Sequence, residues 1–464
     1  MPRYLVYGAN SHTDFRKEEL ESLALLNGLQ VNLGSHDQSS PFFTVELNDD
    51  EEARRLVSRS VLTKGIYELL ADGRDHGALH EDLKGHPRYP FPQYMHSSFK
   101  FVVEAFDTTR SNQQQRELID AFAHLGWQGR IDMKDPQDTF AILEDWRGES
   151  VAKNDGVLLH VYFARFVAGT SRQLVGRFDL KKRGYLGTTS MESELSLVSA
   201  NQVLAGPGRL IYDPFVGTGS FLVSSSAYGA TTVGSDIDGR QIKGKGRANI
   251  SSNFEQYDLS HLLLDCLTFD VKHPPWHTNF RVDGILADPP YGVRAGAKTL
   301  GRSPGTRHFG RREAGVMPDG RKVHERENYI PPKRPYELSD LADDLLDYAA
   351  GLLVDHGRLV FWLPTVNEDY SPVDLPQRSD LRLLANSTQN FGRWSRRLLT
   401  YTKVPLDQVE GPPRRLDRLR QPGHVDFRYK YYSRFGNGKE IDEQAFSRLG
   451  PKEQEYARLR PPTG

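Results

Sequence analysis

Arg209-Leu210-Ile211-Tyr212-Asp213-Pro214-Phe215-Val216-Gly217-Thr218-Gly219-Ser220-Phe221-Leu222 decides the fold. It reads as a strand, a glycine turn and a helix. Gly217 and Gly219 let the backbone approach a ligand closely, and Ser220 is placed to cap a helix whose first amides face that ligand. A tight strand-to-helix turn with no ligand is the plain alternative. The dinucleotide fingerprint G-x-G-x-x-G is absent, because Leu222 stands where its third glycine belongs. No G-K-[ST] follows. A nicotinamide dehydrogenase and a phosphate-cradling NTPase are therefore both disfavoured.

Three more strand-like runs follow. Thr231 to Asp238 ends in acids roughly twenty residues beyond the turn, where a carboxylate can take both ribose hydroxyls of a nucleoside. Asp236, beside Ile237, is the candidate; Asp238 reads equally as a helix cap. Leu262 to Asp270 ends in a candidate for an adenine-edge contact, Asp270, with Asp265 as the alternative. Val282-Asp283-Gly284-Ile285-Leu286 then delivers Ala287-Asp288-Pro289-Pro290-Tyr291-Gly292. Asp288 can accept from one N–H of a planar amine. A carbonyl fixed by the Pro289-Pro290 step can accept from the other, and Tyr291 can lie against the ring. An Asp-Pro-Pro turn closing a strand is the alternative. Strands and helices alternate from Arg209 to about Lys403, which predicts an α/β domain with a parallel sheet. Ligands bind such sheets where the winding reverses. If the first and fourth strands are neighbours there, the glycine loop and Asp288 line one crevice.

The 464 residues are too many for one domain. A net charge of −1 leaves only local charge to point to nucleic acid. The single cysteine, Cys266, excludes a disulfide framework and a thiolate zinc site, and reads as a small core residue. No apolar run approaches membrane-span length, and the first 22 residues carry early acids without a signal-peptide core, so a cytoplasmic location is expected. Before residue 180 the pattern predicts two small α/β modules. Strands are expected at Tyr4–Gly8, Phe42–Leu47, Ser98–Glu104 and Gly156–Arg165. Helices are expected at Asp49–Leu70 and Asn112–Leu125, with a linker at Gly77–Pro92. Thr189 or Ser190 is placed to cap a helix carrying Leu195, Leu197 and Val198. Beyond Gly411 the chain reads as a mostly flexible charged tail with one aromatic-basic piece, Phe427 to Tyr432.

Asp213 to Gly219, Gly234-Ser235-Asp236-Ile237-Asp238 and Asp288-Pro289-Pro290-Tyr291 resemble, in order and spacing, the S-adenosylmethionine-dependent amino-methyltransferases. Gly184 to Leu197 with Ala200-Asn201, Asp288 to Arg294 with Gly296, and Thr388 to Leu399 resemble the tRNA guanosine-10 N2-methyltransferase family. The N-terminal part resembles an RNA-binding THUMP domain with a ferredoxin-like module before it. The resemblance spans roughly residues 1–405. It implies a ferredoxin-like module over 1–75, a THUMP-like domain over 76–180, a Rossmann-like methyltransferase domain over 181–405 and a tail over 406–464. It implies that Ser190 and Met191 close over S-adenosylmethionine, and that Asp213, Pro214, Gly217 and Gly219 contact its methionine part. Asp236 and Ile237 would then hold the ribose, and Asp270 the adenine side. Asp288, Pro289, Pro290 and Tyr291 would hold guanine. Ala295 stands where relatives commonly carry Glu. The resemblance also implies tRNA and a small zinc-binding activator subunit as partners.

Gly292 to Tyr336 is rich in Gly and Pro, and its Lys and Arg outnumber Glu313, Asp319, Glu325 and Glu327. A basic loop beside the clamp suits RNA phosphates, and a solvated insertion is the alternative. Arg165, Arg172 and Arg177, and Arg393, Arg396 and Arg397, are candidates for further basic surface. N6-adenine methylation and a non-catalytic RNA-binding subunit remain the competing functions. The intact clamp and glycine loop argue against decay.

Overall fold

A computed structural model describes residues 1–33, 39–147, 156–291, 297–301, 316–326, 329, 331–416, 427 and 430. The chain forms two compact units, Met1–Phe178 and Asp179–Gly464.

The first unit holds β1 (Arg3–Gly8), β2 (Phe42–Glu46), β3 (Thr63–Gly73), β4 (Phe99–Phe106), β5 (Asp138–Arg147) and β6 (Val157–Ala168). They form one sheet in the order β2-β1-β3-β6-β5-β4. Residues on both sides of the expected boundary at 75/76 thus share that sheet, because β3 pairs with β6. The expected helix over Asp49–Leu70 stops at Val57, and β3 takes the remainder. A distant acid turns the chain there. The buried Glu19 carboxylate accepts from Ser60 Oγ, Val61 N and Leu62 N at 2.7, 3.0 and 3.1 Å. The expected linker contains helix His76–Gly85, whose start is capped by Asp75 accepting from Ala78 N at 2.8 Å. Leu79 and Leu83 of that helix are buried. β5 is a strand that the sequence reading missed. Arg165 is no open basic surface: it pairs with Asp50 and Glu68 at 2.7 and 2.9 Å.

The second unit holds β7 (Leu210–Asp213), β8 (Thr231–Asp236), β9 (Leu263–Thr268), β10 (Val282–Ala287), β11 (Lys298–Leu300), β12 (Lys333–Pro335), β13 (Leu353–Val366), β14 (Leu381–Asn390) and β15 (Trp394–Lys403). Seven of them form a sheet in the order β14-β15-β13-β10-β7-β8-β9; β11 and β12 form a separate ribbon. β8, β7, β10 and β13 run parallel, and β15 returns antiparallel to β13. The first and fourth strands of the motif, β7 and β10, are neighbours, with Gly284 opposite Ile211 and Ile285 opposite Tyr212. The winding reverses between them, so their carboxyl ends open one crevice. Gly284 lets the end of helix Ser193–Gln202 pack onto the sheet face: a Cβ there would lie 2.6 Å from Val203 Cγ2. Helix Leu338–Leu352 buries Leu338, Ala342, Leu345 and Leu346, the spacing of one helix face, in the core with β13 residues Leu359, Phe361 and Leu363.

Two expected caps differ. Helix Ser193–Gln202 begins after Glu192 with no side-chain cap, and Ser190 bonds elsewhere. Ser220 is the first residue of its helix, and left-handed Gly219 (φ 82°) precedes it as the cap position. Cys266 is half-buried on edge strand β9. Part of the expected tail is packed: Arg415 pairs with Asp344 and Asp347, and Phe427 is buried. Arg428, Tyr429, Tyr431 and Tyr432 lie outside the described residues, as do Gly292 to Gly296 and Arg302 to Ala314. No helix of the described residues is long and apolar enough to cross a membrane.

Candidate active site

A cavity of about 1300 Å³ opens at the carboxyl ends of β7, β8 and β10. Its wall brings together Ser190, Met191, Asp213, Pro214, Gly217, Asp236, Ile237, Asp270, Asp288, Pro289, Pro290 and Tyr291. Gly219 sits one turn behind, its positive φ closing the loop, and a Cβ there would meet Ile250 Cγ2 at 3.0 Å.

The glycine loop is held by the acids around it. Gly217 N–H donates to Asp236 Oδ2 at 3.0 Å, and Asp238 N–H to Asp236 Oδ1 at 2.8 Å. Each oxygen keeps lone pairs for further donors. Asp238 caps the next helix by accepting from Arg240 N at 3.2 Å. Asp213 accepts from Phe215 N at 2.9 Å. Burial pushes its carboxyl well above the usual range, and the charges of Asp236 and Asp288 add to this. Burial also raises Asp236, against the two backbone bonds that favour its charged form.

Ser190 Oγ accepts from Gly187 N at 3.0 Å and bonds Thr218 Oγ1 at 2.8 Å, tying the preceding segment to the glycine loop. Met191 is buried, and its Sδ accepts from Arg396 at 3.6 Å. Asp270 lines the cavity, while Asp265 is exposed and is not part of the wall. The Asp270 carboxylate serves the ribbon: Oδ2 accepts from Thr299 Oγ1 and Leu300 N, each at 2.7 Å, and Oδ1 from Lys272 N at 3.1 Å. The ribbon's other strand sends Lys333 Nζ to the Ile237 carbonyl at 2.7 Å.

Asp288 keeps some surface toward the cavity but is otherwise surrounded by protein. This burial pushes its carboxyl up to about 6, against a hydrogen bond donated by Tyr291 and the positive charge of Arg396. Burial, with Asp288 next, drives the Tyr291 hydroxyl well above its ordinary range. The neutral phenol therefore donates and the carboxylate accepts.

Sequence reasoning missed the opposite wall. The β14–β15 hairpin carries Phe391, Trp394 and Arg396 into the cavity, and Phe427 joins them. Arg396 is thus part of the site rather than outer basic surface. It donates to Gln389 Oε1 at 2.5 and 3.0 Å and lies over the rings of Trp362 and Phe391. Arg397 is likewise committed, over the Tyr370 ring and to Thr365 Oγ1 at 3.0 Å. The run Thr388 to Leu399 was visible in the sequence, but its direction relative to Asp288 depends on strand order.

The fit to a nucleoside cofactor rests on three features. The glycine loop leaves room at its backbone, Asp236 faces the same cavity, and Asp213 and Asp288 line it with Asp236 at the strand ends, carboxyls that suit a ligand with a positive centre. No group of three or more His, Cys, Asp or Glu among the described residues could hold a metal ion.

The family model described as "Tmrp11 THUMP N-terminal domain" matches residues 2–172. The tRNA (guanine(10)-N(2))-methyltransferase of Saccharomyces cerevisiae is 43% identical, over 86% of this chain and 93% of its own length. The protein of that name from Schizosaccharomyces pombe is 38% identical over 94% of this chain and 97% of its length. The human tRNA (guanine(10)-N(2))-methyltransferase TRMT11 is 33% identical over 93% and 95%.

Proposed function

This chain belongs to the tRNA (guanine(10)-N2)-methyltransferase family, and from that premise we propose that it methylates the exocyclic N2 of guanosine 10 in tRNA, with S-adenosylmethionine as donor. The observation that carries the reading is the adjacency of β7 and β10, which puts the glycine loop and Asp288 on one cavity.

The cofactor supplies an electrophilic methyl on a sulfonium sulfur. Asp213, Pro214, Gly217 and Gly219 would hold its methionine end, Asp236 and Ile237 its ribose, and Ser190 and Met191 its cover. Asp270 acts from the adenine side, by keeping the ribbon in place. Asp288 takes one N–H of the guanine amine, and the Pro289 carbonyl takes the other. Those bonds draw the N2 lone pair out of ring conjugation and aim it along the transfer line. Orientation of this kind contributes up to roughly 7–11 kcal/mol in favourable cases. As the N–C bond forms and the methyl's bond to sulfur breaks, its electron pair leaving on a neutral thioether, N2 would shed a proton to Asp288, whose raised pKa suits a general base near neutral pH. Tyr291 stacks on the base, which leaves its helix at a cost of roughly a few kcal/mol.

The N-terminal unit holds the RNA, and the Lys- and Arg-rich stretch after Tyr291 meets its phosphates. A small zinc-binding activator subunit pairs with an open edge of the catalytic sheet. The edges are β9 and β14, which expose Leu264 on one and Leu383 and Leu384 on the other. Replacing guanosine 10 by inosine removes only the target amine. Methyl transfer to unmodified tRNA should vanish with that replacement while tRNA affinity persists. Undiminished transfer would refute the choice of N2.

A further inference from the structure

Phe427 lies beyond the last strand, where the sequence reads as a charged tail, yet its side chain is only 2% exposed. It packs in the core that contains Phe361 and Tyr401. Its ring meets Trp394 at 5.8 Å, tilted by 58°. Trp394 in turn stacks on Phe391, with centroids 4.4 Å apart and planes within 17°. All three rings line the cavity that holds Asp288 and Tyr291. Two described residues that flank it in sequence are paired: Arg415 with Asp344 and Asp347 of helix Leu338–Leu352, and Lys430 with Asp369 at 2.8 Å.

Phe391 departs from the usual fate of a large aromatic. It is 45% exposed, in the β14–β15 turn, on the cavity that Asp288 also lines. Arg396 lies 5.6 Å from its ring centroid. An exposed ring backed by a second ring and flanked by a guanidinium suits a planar, electron-rich partner, and a nucleobase offers that face whatever its sequence.

We propose that Phe427 is a working wall of the substrate pocket: it fixes Trp394, and through it Phe391, as a stacking surface for an unpaired base of the RNA. This rests on the RNA-methylating reading above. Phe391 touches the substrate, and Phe427 is a positioning residue.

The test uses the full chain with its activator, carrying Phe391→Ala, Phe427→Ala, Phe427→Leu or both alanines. The wild-type arm separates the two ideas, because wild-type protein that leaves guanine N2 unmethylated contradicts the functional reading alone. The tRNA-affinity arm, by filter binding, still decides the present one. Each alanine should weaken kcat/KM for tRNA or tRNA affinity about tenfold, the loss typical of one stacked base. Binding of S-adenosylhomocysteine should stay within about twofold, on the same stacking account. Phe427→Leu should recover most of the loss, and the double variant should be no worse than either single one. Wild-type behaviour of Phe427→Ala would overturn the proposal. So would multiplying effects, or a loss of tRNA binding matched by equal losses in cofactor binding and melting temperature.

Discussion

Asp288 accepts from Tyr291 in a site where burial holds its carboxyl near 6. Because that pKa is raised, the proton stays on below about pH 6 and leaves as pH rises through it. Only the ionised form can accept from the amine and then take its proton. The pH profile of kcat/KM for tRNA should therefore climb through an inflection near 6 and flatten above it. A flat profile from about pH 5 to 8 would count against Asp288 as the base. At this scale much of the site was legible. Asp213, Asp236 and Asp288 stand at or just beyond strand ends, and a strand end in an α/β sheet faces the ligand crevice whatever its neighbours are. Phe391, Trp394, Arg396 and Phe427 were not legible as site residues. Nothing local in their sequence says that they line one cavity with Asp288. Asp270 was legible as a site acid, but not as the anchor of a ribbon whose donors, Thr299 and Leu300, come far later in the chain.

The glycine turn and the ribbon are the elements that shape the cofactor end. Gly219→Ala places a side chain in the left-handed region and 3.0 Å from Ile250 Cγ2. The cost should be about 1–2 kcal/mol, read as a roughly tenfold weaker Kd for S-adenosylhomocysteine by calorimetry. An unchanged Kd would show that the loop is not part of the cofactor site. Asp270→Ala removes the one oxygen, Oδ2, that accepts from both Thr299 and Leu300. Hydrogen exchange at the Leu300 amide should accelerate by at least tenfold, while exchange in β10 stays as it was. Equal protection of Leu300 in the variant would deny the anchor. Element boundaries were readable where a local signal exists, as with the strand before Asp288-Pro289-Pro290. They failed where a tertiary contact sets the boundary. Leu56, Val57, Val61 and Ile66 keep helical spacing, yet Glu19 turns the backbone at Ser60–Leu62 and a strand follows. Likewise helix His76–Gly85 sits in a stretch whose Gly and His read as linker; its buried Leu79 and Leu83 give it a reason to form.

Each unit of the whole molecule has a core of its own. Phe140 is fully buried in the aromatic cluster of the N-terminal unit, with Phe163, Phe122 and Phe99. Phe140→Ala should cost that unit about 3–5 kcal/mol, lowering its melting transition, while Kd for S-adenosylhomocysteine in the catalytic unit holds. A parallel fall in cofactor affinity would contradict the independence of the two cores. The proposed reaction turns on Asp288. Its most direct test is nucleoside analysis of unmodified tRNA incubated with labelled S-adenosylmethionine, the proposed activator, and either the wild-type chain or Asp288→Ala. The account predicts label in N2-methylguanosine with the wild type. It predicts at least a hundredfold less with the variant, about 3 kcal/mol of lost transition-state stabilisation, at nearly unchanged cofactor affinity. Label in adenosine, or equal transfer by Asp288→Ala, would contradict it.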